Sequence, residues 1–235
     1  MATRRTYGDL CGVARALDLV GERWALLVVR ELLFGPKRFT DLRTGITNAS
    51  PNVLAQRLRE LETSGVVRRR KLGPPAGARV YELTEWGREL EPMVLGLGRW
   101  GSRSPWIAPD AEMSVDSHII ALRTLFDPGA AEGFEGTFEL RLGDDRFDLR
   151  IADGEIEIAR GDAARPAATI ETDPPTLRAL LWQGRDLTEA MRSGKVEVEG
   201  DRKAVQRLLR LFPRPELAAI PDAPAGVDPA AKERP

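Results

Sequence analysis

The sequence predicts an α+β protein of two modules. A helical first half carries one β-hairpin, and a second half is built on an antiparallel sheet covered by helices. Three observations predict this. Apolar residues recur at helical spacing up to Leu61 and again after Thr84, but alternate with period two between Phe138 and Ile158. A single Gly/Pro break, Gly73-Pro74-Pro75-Ala76-Gly77, separates two short β-rich runs in the first half. The charge balance also reverses along the chain. Residues 1–105 carry 18 Lys+Arg against 11 Asp+Glu, a net of +7, and residues 106–235 carry 17 against 25, a net of −8. The first half therefore suits a polyanionic partner.

The elements follow in order. Val13, Ala14, Leu17 and Val20 define a first helix, broken at Gly21. A second runs from about Glu22 to Phe34, with Trp24, Leu27, Val28, Glu31 and Leu32 on its inner side or border, and stops at Gly35-Pro36. A short helix over Phe39–Thr44 ends at Gly45. Ser50 and Pro51 then supply an N-cap and a first helical residue that needs no N–H. Leu54, Leu58 and Leu61 give that helix a narrow core stripe, and Gly65 ends it. The strands 66–72 and 78–83 form the hairpin. Thr84 caps a long helix to about Arg103, with Pro92 predicting a kink or late start. Residues 105–116 form a linker, and a helix follows near Ser117–Phe126. Phe138, Leu140, Phe147, Leu149, Ile156 and Ile158 then mark one buried face of a meander. Thr172-Asp173-Pro174-Pro175 starts a helix over 176–183, Lys195–Glu199 is another strand, and Asp201 caps a last helix to Phe212. From residue 214 a Pro-rich tail is predicted to be disordered. The domains are thus 1–104, the linker 105–116, 117–213 and the tail 214–235.

Composition excludes several chemistries. With one cysteine, Cys11, and one histidine, His118, neither a disulfide framework nor a Cys- or His-based metal site is expected. No stretch reaches the roughly 18 apolar residues of a membrane span, and the N-terminus lacks an apolar secretory core. A soluble cytoplasmic protein is expected. No catalytic residue, metal or cofactor is assigned, and the protein is read as a non-enzyme. Asp144 and Asp145 are turn formers. The ratio of 30 Arg to 5 Lys points to a GC-rich bacterial genome.

Helix, turn, helix and basic hairpin is the order of a winged helix-turn-helix. The 50–64 helix buries its leucines and turns Asn52, Gln56 and Arg59 outward, with Arg57 on its shoulder. Asn and Gln suit adenine edges and Arg suits guanine in the major groove. Arg38, Ser50, Arg69, Arg70, Lys71 and Arg79 complete the expected DNA-binding set, as groups that meet phosphates and set register. The plain alternative is a charged surface that keeps a small domain soluble.

The residues Cys11–Trp24 (CGVARALDLVGERW), Arg30–Leu42 (RELLFGPKRFTDL), Ser50–Leu61 (SPNVLAQRLREL) and Tyr81–Gly87 (YELTEWG) resemble the HxlR-type transcriptional regulators over residues 8–102. Trp86 stands where that family usually has proline. The resemblance implies a homodimer built from the first helix and the helix near 85–103. It would bind an inverted-repeat operator of double-stranded DNA, with two recognition helices about 34 Å apart. It also marks Cys11 as a possible redox position, with Arg15 and Arg4 or Arg5 as nearby positive charge. An inert small residue at a helix start is the simpler reading of Cys11.

The second half, through Ser193–Phe212 (SGKVEVEGDRKAVQRLLRLF), resembles the sterol carrier protein type 2-like fold over residues 117–213. That resemblance implies an apolar or lipid-like effector site. Phe138, Leu140, Phe147 and Leu149 are its expected floor, and Leu177, Leu181, Trp182, Leu187 and Met191 its lid. Each of these is also a candidate for ordinary core. The leading expectation is a DNA-binding repressor whose second domain takes an apolar effector. The alternatives are a Cys11 thiol switch, and a lipid carrier or enzyme that uses the basic domain otherwise.

Overall fold

The computed structural model describes residues 6–73, 77–105 and 112–219. The chain divides into two compact units. One is Met1–Val94 with Ser114–Ser117, and the other is Leu95–Met113 with His118–Pro235.

The first unit opens with α1 (Gly12–Val20), α2 (Ala25–Leu32), α3 (Phe39–Gly45) and α4 (Pro51–Thr63). Helix α2 is shorter than its apolar pattern because Trp24 takes a left-handed backbone, φ 76°, which no α-helix can contain. Ser50 caps α4 by accepting from the Val53 N–H at 3.4 Å. Leu54, Leu58 and Leu61 are 0–1% exposed and pack with Val28, Val29, Leu42 and Ile46. Each such side chain contributes about 1.5–3 kcal/mol by leaving water. The hairpin is β1 (Val67–Lys71) and β2 (Arg79–Leu83), antiparallel, with Arg69 opposite Tyr81 and Lys71 opposite Arg79. Its Pro74–Ala76 tip lies outside the described residues.

After Thr84 the expected single long helix is two: α5 (Glu85–Arg88) and α6 (Glu91–Gly101). Pro92 is the second residue of α6, so the proline sets a late start and not a kink. The chain passes out of the first unit within α6.

Helix α7 (Val115–Leu125) begins inside the stretch expected to be linker; Val115–Ser117 belong to the first unit and the rest of the helix to the second. Residues 106–111 of that linker lie outside the described residues. The sheet comprises β3 (Gly136–Leu142), β4 (Asp145–Ala152), β5 (Glu155–Arg160), β6 (Ala168–Thr172) and β7 (Val196–Gly200). Helices α8 (Pro174–Trp182), α9 (Leu187–Arg192) and α10 (Arg202–Leu209) complete it. The expected meander exists as β3–β4–β5, with Gly143 and Gly154 at positive φ in its turns.

The sheet as a whole is mixed, and this corrects the antiparallel reading. Its order is β5-β4-β3-β6-β7, and β3 and β6 run parallel. The segment 161–167 carries the chain from the β5 edge to the far side of β3. Glu139, on the polar face of β3, accepts from the Ala163 N–H at 3.0 Å and from Arg141 at 2.6 Å, while the Ala167 N–H donates to the Thr137 carbonyl at 2.8 Å. Alternation fixes which side chains share a face but not the strand order. The apolar face carries Phe138, Leu140, Leu142, Phe147, Leu149, Ile151, Ile170, Val196 and Val198, all buried. Asp173, Asp186 and Asp201 cap α8, α9 and α10. Helix α9 was not read from the sequence, although Asp186 with Glu189 three residues on has the spacing of a helix start.

Of the expected tail, residues 220–235 lie outside the described residues. Residues 214–219 carry no helix or strand. The Ala218 N–H donates to the Arg103 carbonyl at 2.8 Å, and Arg103 Nε to the Glu216 carbonyl at 3.3 Å.

Candidate nucleic-acid interface

Helix α4 buries one side, so its other side is free. Asn52, Gln56 and Arg59 lie at i, i+4 and i+7 and are exposed, as is Ser50 at its N-cap. Gln56 Nε2 donates to Glu60 Oε1 at 2.8 Å, which fixes the amide orientation. Arg57 is placed differently. Its side chain is 14% exposed, bonded to Glu60 and 3.6 Å from Glu22. The arrangement ties the turn before α2 to α4 and leaves Arg57 less free than its neighbours.

The wing shows the same sorting. Arg68 and Arg70 converge on Glu82 of β2, at 2.8 and 3.0 Å. Arg69 pairs with Glu62 at 3.0 Å and lies over the Tyr81 ring at 5.2 Å. Lys71 and Arg79, opposite each other near the tip, have no carboxylate partner among the described residues. Arg38 is exposed at the N-cap of α3, where its backbone N–H donates to Asp41 at 2.9 Å. Thus Arg38, Arg59, Lys71 and Arg79 offer uncommitted charge, while Arg57, Arg69 and Arg70 are already paired.

Beneath this surface lies an ionic network that the sequence did not reveal. Glu31 of α2 is fully buried. It meets Lys37 at 2.6 Å and Arg30 at 2.9 Å, and Ser114 Oγ donates to it at 2.7 Å. Lys37 also pairs with buried Asp116 at 2.6 Å. Burial pushes the Glu31 carboxyl up, but Lys37, Arg30 and the two hydrogen bonds outweigh it and hold it below the usual carboxylate range. Gly45, at the end of α3, lies so close that a Cβ there would sit 2.3 Å from Glu31 Oε2. The network therefore sets where α2, α3 and the Ser114–Ser117 segment meet.

Cys11 is exposed at the N-cap of α1. The Val13 and Ala14 backbone N–H groups of the first turn hold its thiol below the ordinary value, and the side chain makes no capping hydrogen bond. Arg4 and Arg5 lie outside the described residues. In the second unit, Phe138, Leu140, Phe147, Leu149, Leu177 and Leu187 are buried, and Leu181, Trp182 and Met191 are half-buried. Two buried donors on α8, Arg178 Nε and Trp182 Nε1, have no hydrogen-bond partner among the described residues. No helix of the described residues is long and apolar enough to cross a membrane.

A leucine-backed helix with an exposed polar stripe, followed by a basic hairpin, defines a helix-turn-helix regulator. Comparison with known proteins makes this particular. Residues 19–108 match the model of the HxlR-like helix-turn-helix family, and residues 120–213 that of the SCP-2 sterol transfer family. The chain is 38% identical over 96 residues to "Uncharacterized HTH-type transcriptional regulator YvaP" of Bacillus subtilis, spanning 40% of this chain and 86% of that protein. It is 36% identical to "Uncharacterized HTH-type transcriptional regulator sll1512" of Synechocystis, over 40% of this chain and 70% of that one. The solved structure "Redox regulator HypR in its oxidized form" is 35% identical, covers 41% of this chain and all of that chain, and has a TM-score of 0.38. The chain belongs to the HxlR-like helix-turn-helix family and carries an SCP-2-like second domain.

Proposed function

We propose that this protein is a homodimeric, sequence-specific repressor that reads an inverted-repeat operator with α4 and the wing and answers to an apolar effector in its second domain. One observation carries the DNA reading. Asn52, Gln56 and Arg59 form an exposed stripe on a helix whose opposite side is anchored by three fully buried leucines. A rigidly seated helix can hold such groups at base edges. Lys71, Arg79, Arg38 and Arg59 supply charge for phosphates, and Ser50 presents the helix N-terminus to the backbone. The protein acts in the cytoplasm and carries no catalytic role. Its effector would be an apolar molecule with a hydrogen-bond acceptor. The buried sheet face is apolar, and Arg178 Nε and Trp182 Nε1 are buried donors with no partner among the described residues. The effector shifts DNA affinity through unequal binding to two arrangements of the dimer.

The test selects binding fragments from the host genome and measures affinity at several salt concentrations. A selected site should bind at least about 10³-fold more tightly than random duplex. Equal affinity for both, unchanged in Asn52→Ala and Gln56→Ala, removes the reading. Native mass spectrometry of the purified protein reports subunit number and any co-purified apolar molecule.

A second reading rests on the exposed thiol of Cys11 at the N-terminus of α1, held below its ordinary value. If Cys11 is a switch, Cys11→Ser abolishes oxidant-dependent release from DNA and leaves reduced binding intact.

A further inference from the structure

Helix α10 presents a surface that the operator reading does not use. Val205 and Leu208, with Leu211 and Phe212 just beyond, are buried. The opposite side carries Arg202, Lys203, Gln206, Arg207 and Arg210, all exposed, with exposed Arg214 following. Lys203, Arg207 and the C-cap Arg210 stand at i, i+4 and i+7, the spacing of one stripe, and Arg214 follows beyond the helix end. Among the described residues, none of these cations has a carboxylate within ion-pair distance. Arg207 lies over the Phe134 ring at 4.7 Å.

Folding does not ask for this arrangement. Arg202 and Lys203 occupy a first turn that holds no acidic residue, where cations oppose the helix dipole. Lys203 and Arg207 are like charges one turn apart, which repel. The region around them, residues 106–235, is net acidic, so the stripe does not follow from composition. Arg207 in the last turn and Arg210 at the C-cap suit the dipole, but the cations of the first turn work against it and point to a partner outside the fold.

The partner is a polyanion, and the chemistry favours duplex DNA. The apolar residues of α10 are committed to the core, so this side offers charge with no apolar edge to insert into a bilayer. Arginine dominates it, and the guanidinium fork matches phosphate oxygens. The same chain holds an operator-reading helix, so a duplex bound there is tethered to α10 through the chain and meets it at raised effective concentration. We propose that the basic face of α10 binds the phosphate backbone of DNA as a second, sequence-independent contact. This rests on the DNA-binding reading above.

The test compares the full chain with Arg202→Gln/Lys203→Gln/Arg210→Gln on a duplex of about one operator and on one extended at both ends, across a salt series. Wild type should gain affinity on the longer duplex. The triple variant, melting at the wild-type temperature, should lose that gain by about tenfold and flatten the salt slope by up to about 0.9 per residue replaced. Arg202→Gln/Lys203→Gln should lose a proportionate share. An unchanged gain and slope overturns the proposal. So does wild-type sedimentation with phosphatidylserine vesicles that the variant loses while its DNA binding is unaltered. If wild type shows no sequence preference but keeps a length gain that the variant loses, the operator reading falls and the α10 contact stands. If wild type binds no duplex, both fall.

Discussion

Gln56 and Arg57 are neighbours with opposite assignments. Gln56 is exposed and oriented by Glu60, whereas Arg57 is pinned between Glu60 and Glu22. To reach a base, Arg57 must give up both partners. Gln56→Ala should therefore relax preference at one base position by about 1–3 kcal/mol. Arg57→Ala should lower thermal stability by up to about 1 kcal/mol and weaken all sequences alike. Affinity across a panel of single-base operator variants separates the two. Glu31 gives a pH prediction. Its carboxyl is held below the usual range when folded, so its stabilisation is complete above the unfolded value and is lost as pH falls through the folded one. Denaturant unfolding between about pH 6 and pH 3 should show wild type losing stability toward acid. Glu31→Gln should be less stable at neutral pH and flatter across that window. The sequence placed Glu31 at the inner border of its helix. It did not show that Lys37 would reach it across the α2–α3 turn, or that Ser114 and, through Lys37, Asp116 would complete the network, because the last two come from far along the chain.

At the scale of elements, the wing is less basic than its composition. Glu82 takes Arg68 and Arg70, and Glu62 takes Arg69. Arg69, Arg70 and Lys71 are expected from the sequence to meet phosphates, but hairpin register decides which cations stay free. Lys71→Ala/Arg79→Ala should flatten the salt dependence by nearly 2 log units per log unit of salt. Arg68→Ala should change it little, since that charge is already matched. A binding series at four salt concentrations distinguishes them. Several helix starts were legible. Ser50, Thr84, Asp173 and Asp201 all accept backbone N–H bonds where their residue types and positions predict caps. Capping is local chemistry, so it can be read without the fold.

For the whole molecule, the apolar residues left uncovered bear on assembly. Leu10, Val13 and Leu17 are 93%, 68% and 42% exposed, and Met93, Leu97 and Trp100 of α6 are 51%, 51% and 78% exposed. Val13 and Leu17 on α1, and Met93, Leu97 and Trp100 on α6, repeat at one-face helical spacing, and Leu10 just precedes α1. Under the homodimer proposal, Val13→Asp or Leu97→Asp should shift the protein to monomer by sedimentation velocity. Operator affinity should then fall about 10²-fold or more as the second half-site ceases to be linked.

By itself, the sequence determined what depends on near neighbours. The helical and alternating periods, the caps, the leucine side of α4 and the polar stripe opposite it all follow from spacing within one or two turns. Tertiary structure alone decided what depends on distant partners. It set which wing cations are neutralised, where Arg57 is spent, how the 161–167 segment crosses to make β3 and β6 parallel, and how Glu31 is paired. The physical reason is range: backbone geometry repeats over a few residues, whereas charges and strand edges find partners anywhere the folded chain brings within a few ångströms.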